Sequence, residues 1–345
     1  MAKLCVCNRR QLGKGKTVAL VAGGAAVAAA AAIAHKANGI VTDAFMRRPV
    51  TDNKAFFEKL ASDMPGTTGL DFAESRAQVQ RTIRTLQTNL YENAEVERVS
   101  IPGSKPSEPA VAYVYRPEQE SNRWVIMAHG YRGTHYDMDG YADYYVKRGY
   151  NVLSPDLHAE GESGGRYVGM GAVEAADILL WVDYVLVRFG EDCQIVLHGQ
   201  SMGAAAALIA AGAGLPSQVK AVVADSSYTS ALAMVRNDAF RAKLPGDAIA
   251  VAVAAILKLR GGVDLARADV LSAVKRSVTP TVFLHGGNDP WVPSTMAVDL
   301  YTNAAPELRE LHVIPGAGHV EGFAKDPDAY FGFVDAFLAK AGVEE

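Results

Sequence analysis

Cysteine is scarce in this sequence of 345 residues, which contains three cysteines in all. Cys5 and Cys7 precede the first apolar run, where they do not form a lipoprotein attachment site, and Cys193 has no obvious partner. This number and spacing imply no disulfide framework. The sequence also has no ordered cluster of cysteines and histidines, so it does not support a structural zinc site. We therefore predict neither a metal nor a cofactor.

Positive charge is in short supply beyond the first 16 residues. That leader holds five of the 34 basic side chains and no acidic one, whereas the remainder has 29 basic against 38 acidic residues. A protein that binds nucleic acid must neutralise phosphates with a basic surface, and the acidic remainder argues against such a surface. We therefore predict no nucleic-acid partner.

Charge is absent altogether from Thr17 to Ala34, a run of 18 residues. As a helix this run would be about 27 Å long, near the lower limit for crossing a bilayer. Ten of its residues are alanine, so it is only weakly hydrophobic. We expect a single-pass membrane anchor at 17–34. A signal peptide cleaved near Ala34 and a buried alanine-rich helix are the alternatives.

The segments on either side of this run predict the organisation of the chain. The basic leader at 1–16 would stay in the cytoplasm, which places the rest outside it at the cell membrane, or makes it secreted if a signal is cleaved. Residues 35–94 read as a helical extension, with polar helices at Asn53–Met64 and Asp71–Asn93 that form a stalk or pack on the body. Residues 95–345 are long enough for one catalytic domain with a large core.

The most informative motif is the run from Gln194 to Ala206. It reads as a buried strand, a Gly-x-Ser-x-Gly turn and the start of a small-residue helix, a layout typical of a nucleophile elbow. Gly199 and Gly203 would let the chain turn sharply without a Cβ clash, which leaves Ser201 at the crest. Ser201 is therefore the candidate nucleophile, against the alternative of an inert serine in a tight turn.

A serine hydroxyl needs a base, and the base needs a carboxylate to orient it. Two later runs each read as a buried strand that ends in a small-residue loop, and these loops carry Asp289 and His319. We predict Asp289 as the acid and His319 as the base. Asp225, at the end of another predicted strand, is the competing acid, and we rank it second because Asp289 has the freer loop.

Acyl transfer also needs hydrogen-bond donors for the negative oxygen of the tetrahedral intermediate. One predicted donor is the backbone N–H of Met202, directly after the nucleophile. The other is the backbone N–H of Tyr131, which follows the buried run Arg123–Ala128 and the His-Gly pair at its end. The alternative for this second segment is a turn that simply terminates the strand.

With these residues in place, the chain resembles the α/β-hydrolase superfamily over roughly residues 95 to 340. Within it, the sequence is similar to bacterial membrane-anchored hydrolases of the serine aminopeptidase and acyl esterase type. The segment from Asp156 to Ser163 is similar to the family's Asp-x-Arg-Gly-x-Gly-x-Ser, but His158 and Ala159 replace Arg-Gly, and Glu160 stands where a histidine is common. We expect this loop to face the catalytic crevice, so a role for His158 stays open.

The predicted elements agree with an α/β-hydrolase fold. Strands alternate with helical stretches, which predicts a mainly parallel twisted sheet with helices on both faces. Residues 226–280 are too many for a simple crossover, so we predict a helical lid there. The apolar stretch Gly246–Arg260 within it is either a wall for an apolar acyl or alcohol group or a helix that packs on the body.

These features predict a serine hydrolase that cleaves carboxylic esters through an acyl-enzyme intermediate, with a small-molecule ester or peptide-like substrate. Alternatives are an aminopeptidase-like amidase, for which Glu160, Glu162 and Glu321 are candidate anchors of a free amino terminus, and an acyltransferase. The alternative outside enzymes is an inactive, membrane-tethered binding module on a hydrolase fold. The oligomeric state is not predicted.

Overall fold

A computed structural model describes residues 13–47, 90–92 and 94–343 of the chain. The described residues form an eight-stranded sheet in the order β1-β2-β4-β3-β5-β6-β7-β8. Strands β3 to β8 run parallel, whereas β2 is antiparallel to both β1 and β4. The strands are β1 (Glu95–Pro102), β2 (Pro109–Arg116), β3 (Arg123–Ala128), β4 (Asn151–Asp156), β5 (Gln194–Gln200), β6 (Val219–Asp225), β7 (Thr281–Gly286) and β8 (Arg309–Ile314).

Helices connect these strands and extend the chain at its amino-terminal side. They are α1 (Gly13–Ile40), α2 (Asp139–Lys147), α3 (Glu174–Phe189), α4 (Met202–Ala213), α5 (Ala231–Arg241), α6 (Gly246–Gly261), α7 (Val270–Val274), α8 (Thr295–Asn303), α9 (Gly322–Lys325) and α10 (Pro327–Lys340). A π-helical turn at Val41–Phe45 continues α1. The predicted mainly parallel sheet with intervening helices is confirmed.

Alternate residues of the central strands bury their side chains on opposite faces of the sheet, as the period of a strand requires. Trp124 and Ile126 of β3 lie in one apolar cluster, which includes residues of α3 and α4. Val125 and Met127 lie in a second cluster, which includes residues of α2 and α10. Helices therefore cover both faces, as predicted, and the strand ends are fixed from both sides.

Residues 226–280 contain α5, α6 and α7 and are helical, as predicted. The buried side chains of α6, Ile249, Ala250, Val253 and Leu257, belong to a third apolar cluster. In that cluster α6 packs against α1 and α5. Of the two alternatives for this apolar stretch, the structure favours the packing helix: no described residue of α6 lines the cavity, and α6 packs within the helical segment 226–280, called the cap, and against α1.

The predicted anchor at 17–34 lies within α1. Among the described residues, no helix combines the length and the mean hydropathy that a bilayer span requires. Residues 27–32 are exposed, so the alternative of a buried alanine-rich helix is wrong for this part of the run. The polar helices predicted at Asn53–Met64 and Asp71–Asn93 lie outside the described residues, apart from residues 90–92, which are helical.

The start of the predicted extension, residues 35–47, packs on the body rather than standing away from it. Ala37, Val41 and Phe45 are buried in the third cluster, beside α5 and α6. Met46 forms a bridge with Tyr167, which lies in the loop between β4 and α3. This part of the chain is therefore one of the elements that surround the carboxyl ends of the strands.

Candidate active site

Ser201 occupies the sharp turn between β5 and α4. Its backbone has φ +52° and ψ −111°, in the positive-φ region that non-glycine residues rarely adopt. A Cβ at Gly203 would overlap the carbonyl oxygen of Ala128, and a Cβ at Gly199 would overlap the backbone of Gly203. Both glycines are therefore required by close backbone approach. The strained serine is held in place by the elements packed around it.

His319 bridges the other two predicted residues. Its Nε2 lies 2.9 Å from Oγ of Ser201, and its Nδ1 lies 2.6 Å from Oδ2 of Asp289. A carboxylate accepts only, so Nδ1 carries the proton and Nε2 is left to accept the proton of the serine hydroxyl. The structure thus brings together Ser201, Asp289 and His319, of which His319 lies 118 residues after Ser201 and 30 after Asp289.

The surroundings of Asp289 keep this carboxylate ionised. Its Oδ1 accepts hydrogen bonds from the backbone N–H groups of Trp291 and Val292, at 2.9 and 2.8 Å. Burial alone would raise the pKa of Asp289, but the electrostatic interaction with His319 and hydrogen bonds from His285, His319 and Val292 outweigh it. The pKa therefore lies well below its ordinary value, and the ionised carboxylate holds the imidazole in one tautomer.

The competing acid, Asp225, contacts other residues. Its Oδ1 accepts a hydrogen bond from Oγ of Ser226 at 2.8 Å, and its Oδ2 accepts one from the Tyr330 hydroxyl at 3.0 Å. Burial raises its pKa despite these bonds. Asp225 lies at the end of β6, next to the strand that leads to Asp289, but it forms part of the core rather than the hydrogen-bond chain.

The two predicted backbone donors belong to different elements, the start of α4 and the loop after β3. Met202 is the first residue of α4, where a backbone N–H has no acceptor within the helix. The loop after β3 approaches so closely that a Cβ at Gly130 would lie 3.6 Å from Cβ of Ser201. Tyr131 follows in this loop. The assignment of the two N–H groups to an oxyanion hole stays a prediction.

Glu160 holds the loop that follows β3 through a hydrogen bond to its backbone. Its Oε1 accepts the backbone N–H of Arg132 at 3.0 Å, and Arg132 itself has φ +59°. Burial raises the pKa of Glu160 to about 8, against the lowering effect of the hydrogen bond from Arg132. The residue that replaces the family's usual histidine is thus a buried carboxyl group that binds the backbone next to Tyr131.

A mostly apolar cavity of about 470 Å³ opens onto Ser201 and His319. Ile40 and Phe45 line it from the N-terminal side, Met234 and Leu244 from α5 and the turn after it, and Trp291 from the loop after β7. This volume is in the range of small-molecule sites. None of these wall residues was predicted, because no local motif marks them. The spacing of the apolar residues in α5 predicts that one face of the helix is buried, but not that this face lines the cavity.

Charged groups in the lining lie toward its edge. Lys36 is exposed there, and Asp238 pairs with Arg241 at 3.5 Å. Among the described residues that line the cavity there is none of the three glutamates considered as anchors for an amino terminus, Glu160, Glu162 and Glu321. Instead, Glu162 pairs with Arg98 at 2.7 Å, and Glu321 accepts the N–H of Gly318 at 2.9 Å.

His158 also lies outside the described lining of the cavity. It is buried, with its ring nitrogens 3.6 Å from Glu108 and 3.8 Å from Asp177. Burial lowers its pKa, more than the two nearby carboxylates raise it. The role that the sequence left open for His158 at the crevice is therefore not supported by its position. The His158 ring lies near Glu108, which directly precedes β2, and it is so close to Gly165 that a Cβ there would lie 2.7 Å from its Nε2.

Comparison with known proteins shows which family and fold this chain shares. The uncharacterized protein YqkD of Bacillus subtilis (strain 168) is 26% identical over 217 residues, which are 62% of this chain and 70% of that protein. The esterase Pf2001 of Pyrococcus furiosus is 25% identical, with a TM-score of 0.57, and the match covers 72% of this chain and 91% of the esterase.

A puromycin-hydrolyzing peptidase of Mycobacterium tuberculosis shares the fold, at 18% identity and a TM-score of 0.56, over 73% of this chain and 40% of the peptidase. The sequence profile of the alpha/beta hydrolase family matches residues 125–332, which include both Ser201 and His319. With the sheet, the elbow and the hydrogen-bonded side chains in view, the chain belongs to the alpha/beta hydrolase family, and it is a hydrolase.

Proposed function

We propose that this hydrolase cleaves carboxylic esters through an acyl-enzyme intermediate. The observation that carries the proposal is the continuous hydrogen-bond chain from Asp289 through His319 to Ser201, at the cavity surface. The 2.9 Å contact between Oγ of Ser201 and Nε2 of His319 has the length that proton transfer from nucleophile to base requires, and the 2.6 Å contact with Asp289 orients the base. A binding module would have no use for this chain, so its completeness argues against the non-enzymatic alternative.

In the first half-reaction, Oγ of Ser201 attacks the ester carbonyl while Nε2 of His319 takes the serine proton. Asp289 stabilises the imidazolium that forms. The N–H groups of Met202 and Tyr131 would donate to the negative oxygen of the tetrahedral intermediate. His319 then gives its proton to the departing alcohol, and the acyl group stays on Ser201.

In the second half-reaction, water attacks the acyl-enzyme. Nε2 of His319 takes a proton from the water, a second tetrahedral intermediate forms, and Ser201 leaves with that proton as the acid is released. Esters are favoured over amides because alcohols leave more readily than amines. The apolar lining around Ser201 fits an ester with an apolar group. None of the three glutamates is part of this described lining, and Asp238, a carboxylate of the lining, is paired with Arg241.

The test compares nitrophenyl esters with aminoacyl-anilides, using the full-length protein and Ser201→Ala. We expect ester hydrolysis in the wild type, little anilide hydrolysis, and loss of both in the variant. Faster turnover of the anilides would shift the assignment to an amidase. Transfer of the acyl group to an added alcohol in preference to water would shift it to an acyltransferase.

Attachment to a membrane, with the catalytic domain outside the cytoplasm, is also part of the proposal. It is supported by the five basic side chains of the leader and by the uncharged run Thr17–Ala34. Membrane fractions washed with carbonate should retain the protein. Protease added to intact spheroplasts should digest it. Release of a shortened chain into the medium would indicate a cleaved signal instead.

A further inference from the structure

The N-terminal segment, defined as residues 36–47, forms one wall of the catalytic cavity. We propose that this segment selects the length of the apolar chain of the ester, through Ile40 and Ala44 and with Phe45 beside them. The inference rests on the proposed ester hydrolysis and deepens it. It assigns substrate selection to a part of the chain that precedes the matched family region, 125–332.

The segment presents two stripes at helical spacing. Lys36, Ile40 and Ala44 recur every four residues and line the cavity. Ala37 and Val41, one position further along, are fully buried in the third cluster against α5 and α6. One stripe therefore anchors the segment by packing, and this anchoring leaves the other stripe fixed toward the cavity.

Hydrogen bonds tie the segment to the loop that follows β3. The Tyr131 hydroxyl donates to the carbonyl oxygen of Ala44, and Nη2 of Arg132 donates to the carbonyl oxygen of Asp43 at 2.6 Å. This is the loop whose backbone approaches Ser201. The distance between the wall and the nucleophile is therefore set by direct contacts rather than by distant packing.

The other end of the segment is held by the loop that follows β4. Arg47 donates from Nη1 to the carbonyl oxygen of Ser163 and from Nη2 to that of Gly161, both at 2.5 Å. The N–H of Val168 donates to the carbonyl oxygen of Phe45 at 2.8 Å. A wall held at both ends discriminates by size, because a longer chain cannot push it aside.

The experiment measures kcat/KM of the full-length protein for two series of esters. One series varies the acyl chain from acetate through octanoate to palmitate on a nitrophenyl leaving group. The other varies the alcohol chain on acetate. The two series show which end of the ester carries the chain against the wall. The readout is the ratio of kcat/KM for the long ester to that for the short one.

Ala44→Phe fills the cavity and Ile40→Ala enlarges it. We expect Ala44→Phe to lower the octanoate-to-acetate ratio, or the matching ratio of the alcohol series, by about tenfold or more. Ile40→Ala should move the optimum in the opposite direction, toward longer chains. Because the two changes have opposite expected signs, Ile40→Ala decides the outcome if Ala44→Phe does not fold.

Matched controls lie on the same helix. Ala34 is exposed and Ile33 packs against the third cluster, and neither is in the cavity lining, so Ala34→Phe and Ile33→Ala should leave both ratios unchanged. The inference is overturned if Ala44→Phe and Ile40→Ala move neither ratio more than these controls do. Ester hydrolysis that survives Ser201→Ala would instead overturn the proposed function, so the two failures are distinguishable.

Discussion

Two buried carboxylates lie at the carboxyl ends of neighbouring parallel strands: Asp225 is the last residue of β6, and Asp289 lies in the loop after β7. Their hydrogen bonds show that they have different roles. Asp289 contacts His319 at 2.6 Å, whereas Asp225 is bonded to Ser226 and Tyr330. The sequence predicted the choice from the freer loop after β7. It could not show why Asp225 is excluded, because Tyr330 lies 105 residues further along the chain.

Asparagine substitutions at these two positions should therefore have very different effects. Asp289→Asn removes the charge that stabilises the His319 imidazolium and leaves the ring free to adopt the wrong tautomer. We expect kcat for nitrophenyl acetate to fall by about a thousand- to ten-thousandfold. Asp225→Asn should keep kcat within about tenfold of the wild type, because it leaves the His319 contact intact. Equal losses in the two variants would contradict these assignments.

Glu160 gives a prediction for stability against pH. Its carboxyl has an ordinary pKa of 4.5 and a pKa of about 8 in the folded protein, because it is buried. Between these values the folded state holds a proton that the unfolded chain has lost, so the free energy of unfolding falls as the pH rises. Each pKa unit corresponds to about 1.4 kcal/mol, so the fall is on the order of a few kcal/mol.

Urea denaturation across that pH range tests this point. Glu160→Gln keeps an oxygen acceptor for the N–H of Arg132 but cannot ionise, so its stability should depend less steeply on pH than that of the wild type. Some slope remains because burial also raises the pKa of Glu174, to about 7. The matched control Glu162→Gln, at an exposed carboxylate of lowered pKa, should keep the wild-type slope. An unchanged slope in Glu160→Gln would refute the prediction.

At the scale of elements, the elbow depends on how closely α4 approaches the end of β3. Gly203→Ala would place a methyl group onto the backbone of Ala128, and backbone cannot rotate away as a side chain can. We expect it to lower the free energy of unfolding by about 3 kcal/mol or more and to displace Ser201. Gly332→Ala on α10, where a Cβ meets nothing within 4 Å, is the control. Equal thermal stability of the two variants would show that the close approach is not required.

Helix α6 offers a second comparison, because it carries two leucines with opposite surroundings. Leu257 is fully buried in the third cluster, whereas Leu259 is 87% exposed. Leu257→Ala should lower the free energy of unfolding by about 2–5 kcal/mol, and Leu259→Ala should change it little. Denaturation curves for both variants measure the difference. Similar curves would mean that α6 is not packed as a structural element of the cap.

The sequence predicts most of the sheet, because the parallel strands β3 to β7 are short, largely buried runs. Strand β8 at the edge is only partly buried and was predicted from its resemblance to the run at β7. The strand ends then meet at one edge, so Ser201, Asp289 and His319 could be identified together. The sequence left the role of α6 open between a cavity wall and a packing helix, for a physical reason. An apolar stripe predicts that one face is buried, but it does not specify which element covers that face.

At the scale of the whole molecule, the site is assembled from parts that are far apart in the chain. The hydrogen bond from Tyr131 to Ala44 spans 87 residues, and that from Arg132 to Asp43 spans 89. No periodicity in the sequence marks such contacts, which explains why the N-terminal wall was not predicted. In the described structure, the loops at the carboxyl ends of the strands form one part of the cavity, and α5 of the cap and the end of α1 form the rest.

Ser201 is the proposed nucleophile of this assembled site. The most direct measurement is the reaction of the full-length protein with a fluorophosphonate, followed by peptide mapping. We expect one modified residue, Ser201, with no labelling in Ser201→Ala and much slower labelling in His319→Ala. An ester-hydrolysing protein that carries the label on a different serine, or that resists labelling altogether, would contradict this assignment.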